Sequence, residues 1–305
     1  MLNVLFLNHR QERCGVYQFG KRVYNLCSLN SKVNYTYREI ESLNEYNSIL
    51  SQNRYDYIVY NWYPVTMGWL TEDIVINNKD VKHYFIFHDG HVRQNFDKYL
   101  FSGAVGRDMD YWSEDKYIVL PRPLFSYDGE YKENNIPTIG SFGFGGWQKG
   151  FPDVAPLVAK NFPVARVNLL MPFAYFGDSQ GIETRKIAEN CHERNPHPGI
   201  ELNIRHDFAT DDEVLTFLAG NDANVFLYYS SCQGLSSVVD YALSVKRPIA
   251  IRDDPMFKHM YKEDIDINVH SLKEVMDKGV QPLQEYYDRW NPKNFPSEMD
   301  KIYDS

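Results

Sequence analysis

The stretch 224–254, NVFLYYSSCQGLSSVVDYALSVKRPIAIRDD, restricts the fold more than any other part of this sequence. Residues 225–229 are an apolar, aromatic run of buried-strand length. A polar loop of Ser230, Ser231, Cys232, Gln233 and Gly234 follows, and then Val238, Val239, Ala242 and Leu243 recur at helical spacing. Residues 248–251 return to strand, which completes a βαβ unit and so predicts a parallel sheet. Open sheets of this kind take ligands beyond the carboxyl ends of their strands, where backbone N–H groups opening the next helix suit an anion such as phosphate. About one helical turn separates Ser236 from Asp240, which predicts a carboxylate placed for a sugar hydroxyl, with Ser236 and Ser237 capping the helix or touching phosphate. An ordinary βα connection with capping serines and a solvated Asp240 fits the same residues.

A chain of 305 residues suits two domains, each with its own core. The hydrophobic fraction of 43% contains no apolar span of membrane length, and the opening MLNVLFLNHR runs straight into a strand pattern with no signal-peptide features. The expected location is therefore cytoplasmic. Cys14, Cys27, Cys191 and Cys232 show no metal-ligand spacing, so they are expected as reduced thiols. A formal charge of −9 argues against a broad nucleic-acid surface without excluding a local basic groove.

Along the chain, residues 3–7 read as the first buried strand, followed by a loop to Gly15 and an amphipathic helix through Val23 and Leu26. Gly15 would let backbone pass close to a ligand, although its spacing to Gly20 is short of a dinucleotide fingerprint and a flexible turn fits as well. Residues 57–60 are a second strand, with a short helix expected at 67–70. Residues 83–87 are a third, ending at once in His88, Asp89, Gly90 and His91. A histidine at a strand's carboxyl end suits a phosphate or sugar hydroxyl, or developing charge, because its pKa lies near neutrality; a hydrogen-bonded turn residue is the plainer role. Residues 116–120 followed by Pro121 and Pro123 look like a last strand entering a linker. We expect an amino-terminal domain at 1–125, a carboxyl-terminal domain at 136–285, and a segment 286–305 with a terminal helix. The second half opens with a strand into Gly143, Gly145, Gly146, Lys149 and Gly150, a loop whose lysine would neutralise a diphosphate if it is not simply solvated. Further strands are expected at 167–172 and 200–204, and a helix opens at Asp211, Asp212 and Glu213.

These motifs resemble the retaining GT-B glycosyltransferases related to family 4. The second domain of that family carries a strand, a serine, an acidic residue plus glycine, a second acidic residue and a small-residue helix before Gly-x-Pro. Ser230, Gln233, Gly234, Asp240, Ala242, Arg247 and Pro248 stand here in that order. The resemblance covers most of the chain and is strongest over 139–254. It implies an α/β chain of GT-B architecture, two Rossmann-like domains whose parallel sheets face across a cleft, with 286–305 crossing back to the first. It implies Asp240 on the nucleotide ribose, Gln233, Gly234, Leu235, Ser236 and Ser237 along the donor, Gly15 facing the cleft, Lys149 on the diphosphate and His88 near the reacting sugar, with His91 a weaker match. Two positions depart from the pattern. Gln233, or Cys232 if spacing is kept, replaces the first acidic residue, and Phe144 replaces a cation, for which Arg252 is a candidate substitute.

The implied activity is sugar transfer from a nucleotide diphosphate sugar to an acceptor hydroxyl, on a glycan, a lipid-linked glycan or another carrier, with retention, no metal and no further cofactor. Four alternatives accompany it. A metal-dependent GT-A enzyme would need an Asp-x-Asp such as Asp108/Asp110 or Asp264/Asp266. A nucleotide-sugar epimerase, a DNA-base glycosyltransferase, and a degenerate GT-B protein that binds a nucleotide sugar or glycan without transfer are the others. The lost charges at Gln233 and Phe144 keep the last of these open.

Overall fold

The computed structural model describes residues 1–29, 32–78, 80–88, 98–103, 117–174, 177–230 and 234–303. It divides into two compact units. Met1–Pro123, Gln233–Leu235 and Trp290–Ser305 form the first, and Leu124–Cys232 with Ser236–Arg289 form the second.

In the first unit β1 (Leu2–Asn8), α1 (Gly15–Cys27), β2 (Val33–Glu39), α2 (Leu43–Gln52), β3 (Tyr57–Trp62), α3 (Glu72–Ile76), β4 (Lys82–Phe87), β5 (Lys98–Ser102) and β6 (Tyr117–Leu120) follow one another. Their sheet has the order β2-β1-β3-β4-β5-β6, parallel throughout. Leu5 and Leu7 of β1 enter a core on one face while Val4 and Phe6 enter a core on the other. A strand buried on both faces reads as a continuous apolar run, which is why β1, β3 and β4 stand out in the sequence. β2 is an edge strand with a mixed burial pattern, and its polar sequence VNYTYRE gives no such run. The helix expected at 67–70 is a series of turns, and α3 begins only at Glu72, after Thr71.

The second unit runs through β7 (Thr138–Phe142), α4 (Val154–Asn161), β8 (Ala165–Leu170), α5 (Ile182–Glu193), β9 (Ile200–Arg205), α6 (Asp211–Ala219), β10 (Ala223–Phe226), α7 (Val238–Ser244), β11 (Ile249–Ile251), α8 (Leu272–Lys278) and α9 (Gln284–Arg289). This sheet is also parallel, in the order β11-β10-β7-β8-β9. The βαβ unit β10-α7-β11 is present with Val225 opposite Ala250. β10 stops at Phe226, three residues before the expected end. Leu227 and Tyr228 stay buried but leave the sheet to meet the turn at Trp147–Lys149, where the Tyr229 N–H donates to the Gln148 carbonyl at 2.8 Å.

α10 (Phe295–Asp300) belongs to the first unit and buries Phe295 and Met299 in its core, together with Ile302 and Tyr303. The Tyr57 and Tyr84 hydroxyls donate to the Tyr303 and Ile302 carbonyls at 2.9 and 3.0 Å, and the Tyr35 and Tyr303 hydroxyls lie 2.8 Å apart. No described helix is long and apolar enough to cross a membrane.

Candidate functional site

In the second unit the glycine loop after β7 closes on the loop before α7. Gly143 has φ +150°, and a Cβ there would lie 3.3 Å from Val238 Cγ1 and 3.6 Å from the Tyr228 hydroxyl, so glycine permits the close approach. Gly150 has φ +67° and abuts the Leu227 carbonyl. That tight turn aims the half-buried Lys149 across Tyr228, its Nζ 4.0 Å from the ring centroid, a cation–π contact. The Tyr228 hydroxyl in turn lies 3.1 Å from the Ser236 hydroxyl. Lys149 and Ser236, read separately from the sequence, are thus joined through Tyr228, a residue the sequence reading placed only in a strand.

The expected side-chain cap of α7 is not formed. Ser237 is the N-cap residue of α7, but its side chain makes no capping hydrogen bond. The Ser236 N–H donates to the Met256 carbonyl at 3.0 Å, so it is not a free donor for phosphate. Asp240 is fully buried on α7, so the alternative of a solvated helix residue fails. Leu235 and Gly234 are half-buried, and Gln233, Cys232 and Ser231 lie outside the described residues. Arg252, the candidate for the missing cation, is engaged by Asp153 and Tyr229. Its guanidinium lies 3.8 Å from the Tyr229 ring centroid and 3.8 Å from Asp153 Oδ2, and Asp153 also accepts from the Tyr229 hydroxyl and pairs with Arg194 at 2.7 Å. Phe144 stacks on Phe208 at 6.2 Å between ring centroids.

In the first unit the polar residues gather at the carboxyl ends of β1, β3 and β4. Asn61 Nδ2 donates to Val16 O and to Asn8 Oδ1, both at 2.8 Å. A carbonyl only accepts, so Asn61 Oδ1 is left to accept, and His88 Nε2 donates to it at 2.6 Å. His88 therefore holds its proton on Nε2 and keeps a lone pair on Nδ1. Burial, with Arg122 and His9 adding repulsion, lowers its pKa to about 3. This corrects the expectation of a histidine titrating near neutrality: His88 is neutral, suited to accepting from a hydroxyl and unsuited to balancing a phosphate. His9, at the end of β1, is buried too, and desolvation lowers its pKa to about 4. The buried Arg122 follows β6 and donates to the Ser102 carbonyl at 3.1 Å.

Gly15 opens α1 with no described atom within 4 Å of a Cβ placed on it, whereas Gly20 packs directly on Asn61. Gly234 is grouped with the first unit, where a Cβ would lie 2.9 Å from the His88 carbonyl oxygen. Asp89, Gly90 and His91 lie outside the described residues. Asn8, His9, Asn61 and Arg122 were not singled out from the sequence. Their signal was the same as for His88, a polar residue just after an apolar run.

Among the described residues no three His, Cys, Asp or Glu side chains gather as metal ligands. Asp108 and Asp110 lie outside the described residues. Of the other Asp-x-Asp pair, Asp264 pairs with Lys278 at 2.8 Å, and the buried Asp266 accepts from the Asn268 N–H and the Tyr261 hydroxyl. Thr210 caps α6 in a capping box with Glu213, and Asp211 accepts from the Tyr241 hydroxyl.

No protein-family model matches the chain, and no curated protein sequence matches it. Solved structures do. Anabaena HepE in complex with UDP-glucose superposes with a TM-score of 0.70 at 10% identity over 100% of both chains. Sucrose-phosphate synthase from Thermosynechococcus elongatus gives 0.71 at 9% identity, over 99% of this chain and 98% of that one. The lipopolysaccharide outer core galactosyltransferase WaaB gives 0.62 at 12% identity, over 99% and 100%. The fold is GT-B. In GT-B terms the first sheet carries the His88 cluster at its carboxyl edge and the second carries Lys149, Tyr228 and Ser236 at its own.

Proposed function

We propose that the chain is a glycosyltransferase that moves a sugar from a nucleotide diphosphate sugar to an acceptor hydroxyl on a glycan or similar carrier, with retention and without a metal. The observation that carries this reading is the Lys149–Tyr228–Ser236 chain on a GT-B framework. It holds one ammonium, on a rigid aromatic support, at the carboxyl edge of the second sheet. HepE, of the same fold, is described in complex with UDP-glucose. Lys149 then faces the diphosphate and offsets the charge that grows on it as the glycosidic bond breaks, a preorganised electrostatic role. His88, held neutral with Nδ1 as acceptor, takes a hydrogen bond from a hydroxyl of the transferred sugar and orients the ring. Asp240 is proposed as the ribose partner, with the backbone of 233–237 lying along the donor.

The same geometry fits a protein that binds a nucleotide sugar without transfer, because Phe144 and Gln233 stand where the resembling family has charge. A thermal-shift panel of UDP, GDP, TDP, ADP and CDP with their sugar conjugates tests donor binding, since a ligand of the folded state raises the melting temperature. Stabilisation by one base is expected, and the absence of any shift would refute the donor site. Incubation of that donor with candidate acceptors, with and without EDTA, separates the readings. Transfer that survives EDTA is expected, loss restored by Mn²⁺ would refute metal independence, and binding without transfer to any acceptor would favour the non-catalytic protein.

A further inference from the structure

Behind the Lys149–Tyr228–Ser236 chain lies a support that the reading above leaves unused, the single turn Pro255–Phe257 that follows β11. Asp254 opens it, is 3% exposed, and gives each carboxylate oxygen to a different backbone N–H. Oδ1 accepts from Met256 at 2.9 Å, and Oδ2 accepts from Ser230 at 2.6 Å. The first bond caps the turn, which the Phe257 N–H closes on the Asp254 carbonyl at 2.9 Å. The second reaches 24 positions back in sequence, to the start of the loop that precedes α7. The capped turn makes two further contacts. Its Met256 carbonyl accepts the Ser236 N–H at 3.0 Å, at the other end of that loop. Its buried Phe257 ring lies 4.6 Å from the Tyr228 ring, the one that carries Lys149. Both ends of the loop from Ser230 to Ser236, and the aromatic seat of the ammonium, therefore rest on one turn whose shape one buried carboxylate fixes. Hydrogen bonds to an ionised acceptor are stronger than neutral ones, so a carboxylate suits this task better than a hydroxyl or an amide.

We propose that Asp254 is a positioning residue for the diphosphate of the donor. It acts through Ser230 and Met256 rather than on the substrate, holding the two ends of the loop in the arrangement that receives the ligand, so that binding does not bear the cost of ordering it. This rests on the donor reading above and adds to it a residue that no sequence motif marked.

Two substitutions separate the two oxygens. Serine is a good cap, so Asp254→Ser keeps an acceptor for the Met256 N–H, but with one oxygen in place of two it loses the Ser230 bond. Asp254→Ala loses both. The first readout is amide hydrogen exchange by NMR on the full chain, which needs no ligand. Asp254→Ser should speed exchange about tenfold at Ser230 and leave Ser236 within about threefold of wild type, whereas Asp254→Ala should speed both about tenfold. Tyr229, whose N–H is held by the Gln148 carbonyl, should stay within about threefold in both variants. The second readout is calorimetric titration with UDP, GDP, TDP, ADP and CDP, at a temperature where all three proteins are folded by circular dichroism. For the diphosphate that wild type binds most tightly, Kd should rise about threefold in Asp254→Ser and about tenfold or more in Asp254→Ala. A residue that only stabilised the fold would lower Tm and leave the affinity of the folded protein unchanged. The proposal is overturned if Ser230 exchange in Asp254→Ser matches wild type, if Ser236 exchange in Asp254→Ala does, or if Asp254→Ala binds as tightly as wild type. Should Asp254→Ala fail to fold, Asp254→Ser decides alone, by Ser230 exchange and the threefold loss. If wild type binds none of the five, the donor reading fails and this role fails with it; if wild type binds and the variants bind equally well, only the role of Asp254 is refuted.

Discussion

Acidification should unfold the first unit well before the carboxylates explain it, because His9 and His88 are neutral inside. Their folded pKa values are about 4 and about 3, against roughly 6.5 for an unfolded histidine. The folded value is the lower one, so between these limits the unfolded chain binds the extra proton. The stabilisation is fully present above pH 6.5 and is lost as pH falls toward the folded values. Each histidine then removes about 1.4 kcal/mol per pH unit, or about 2 kcal/mol at pH 5, and the two together about 4 kcal/mol. Whole domains are stable by about 5–15 kcal/mol, so this loss is large. The assay is urea unfolding at pH 5, 6 and 7 for wild type, His9→Asn and His88→Gln. His88→Gln keeps an N–H for Asn61 Oδ1 and removes the titration. Carboxylates common to all three cancel in the comparison, so each variant should lose the slope of one histidine. If the variants follow the same pH dependence as wild type, the histidines are not neutral in the fold and the tautomer argument fails with them.

Three further outcomes are expected. Lys149→Ala should weaken binding of the cognate nucleotide diphosphate at least tenfold, about 1.4 kcal/mol by calorimetry, and unchanged affinity would remove it from the donor site. Gly150→Ala should destabilise by about 3 kcal/mol, since the left-handed backbone and the Leu227 carbonyl both oppose a methyl; a Tm within 1–2 °C of wild type, about the noise of such scans, would contradict that geometry. Lys246 is exposed at φ +48°, just past the end of α7, where glycine is the usual residue. Lys246→Gly should therefore raise stability by about 1 kcal/mol, and a lower Tm would refute the strain.

What the sequence disclosed follows burial. β1, β3 and β4 are covered on both faces and read as apolar runs, whereas the edge strand β2 does not, and β5, KYLFS, is buried on both faces but is too short and too polar at its ends to read as one. Lys149 and His88 were legible because each directly follows such a run or sits among glycines. Their chemistry was not, because the protonation of His88 depends on Asn61, which is 27 positions away and is oriented in turn by Val16 and Asn8. Ser236 and Ser237 misled for a similar reason. Local spacing marks serines before a helix as caps, but Tyr228 and Met256, distant in sequence, hold Ser236 instead. His9 follows the apolar run of β1 as His88 follows that of β4, but its burial is visible only once its surroundings are built.

The tyrosine latch over 302–303 sets an order of assembly during synthesis. Tyr57 and Tyr84 grip main-chain carbonyls, so the latch tolerates changes of side chain there but not the loss of the segment. The first unit's sheet strands are complete by Leu120, yet one of its cores waits for Phe295, Met299, Ile302 and Tyr303. At about 5–20 residues per second the ribosome needs roughly 10–40 s to make that intervening stretch. Through that interval the rings of Tyr57 and Tyr84 lack their Tyr303 partner, and the second unit has time to fold first.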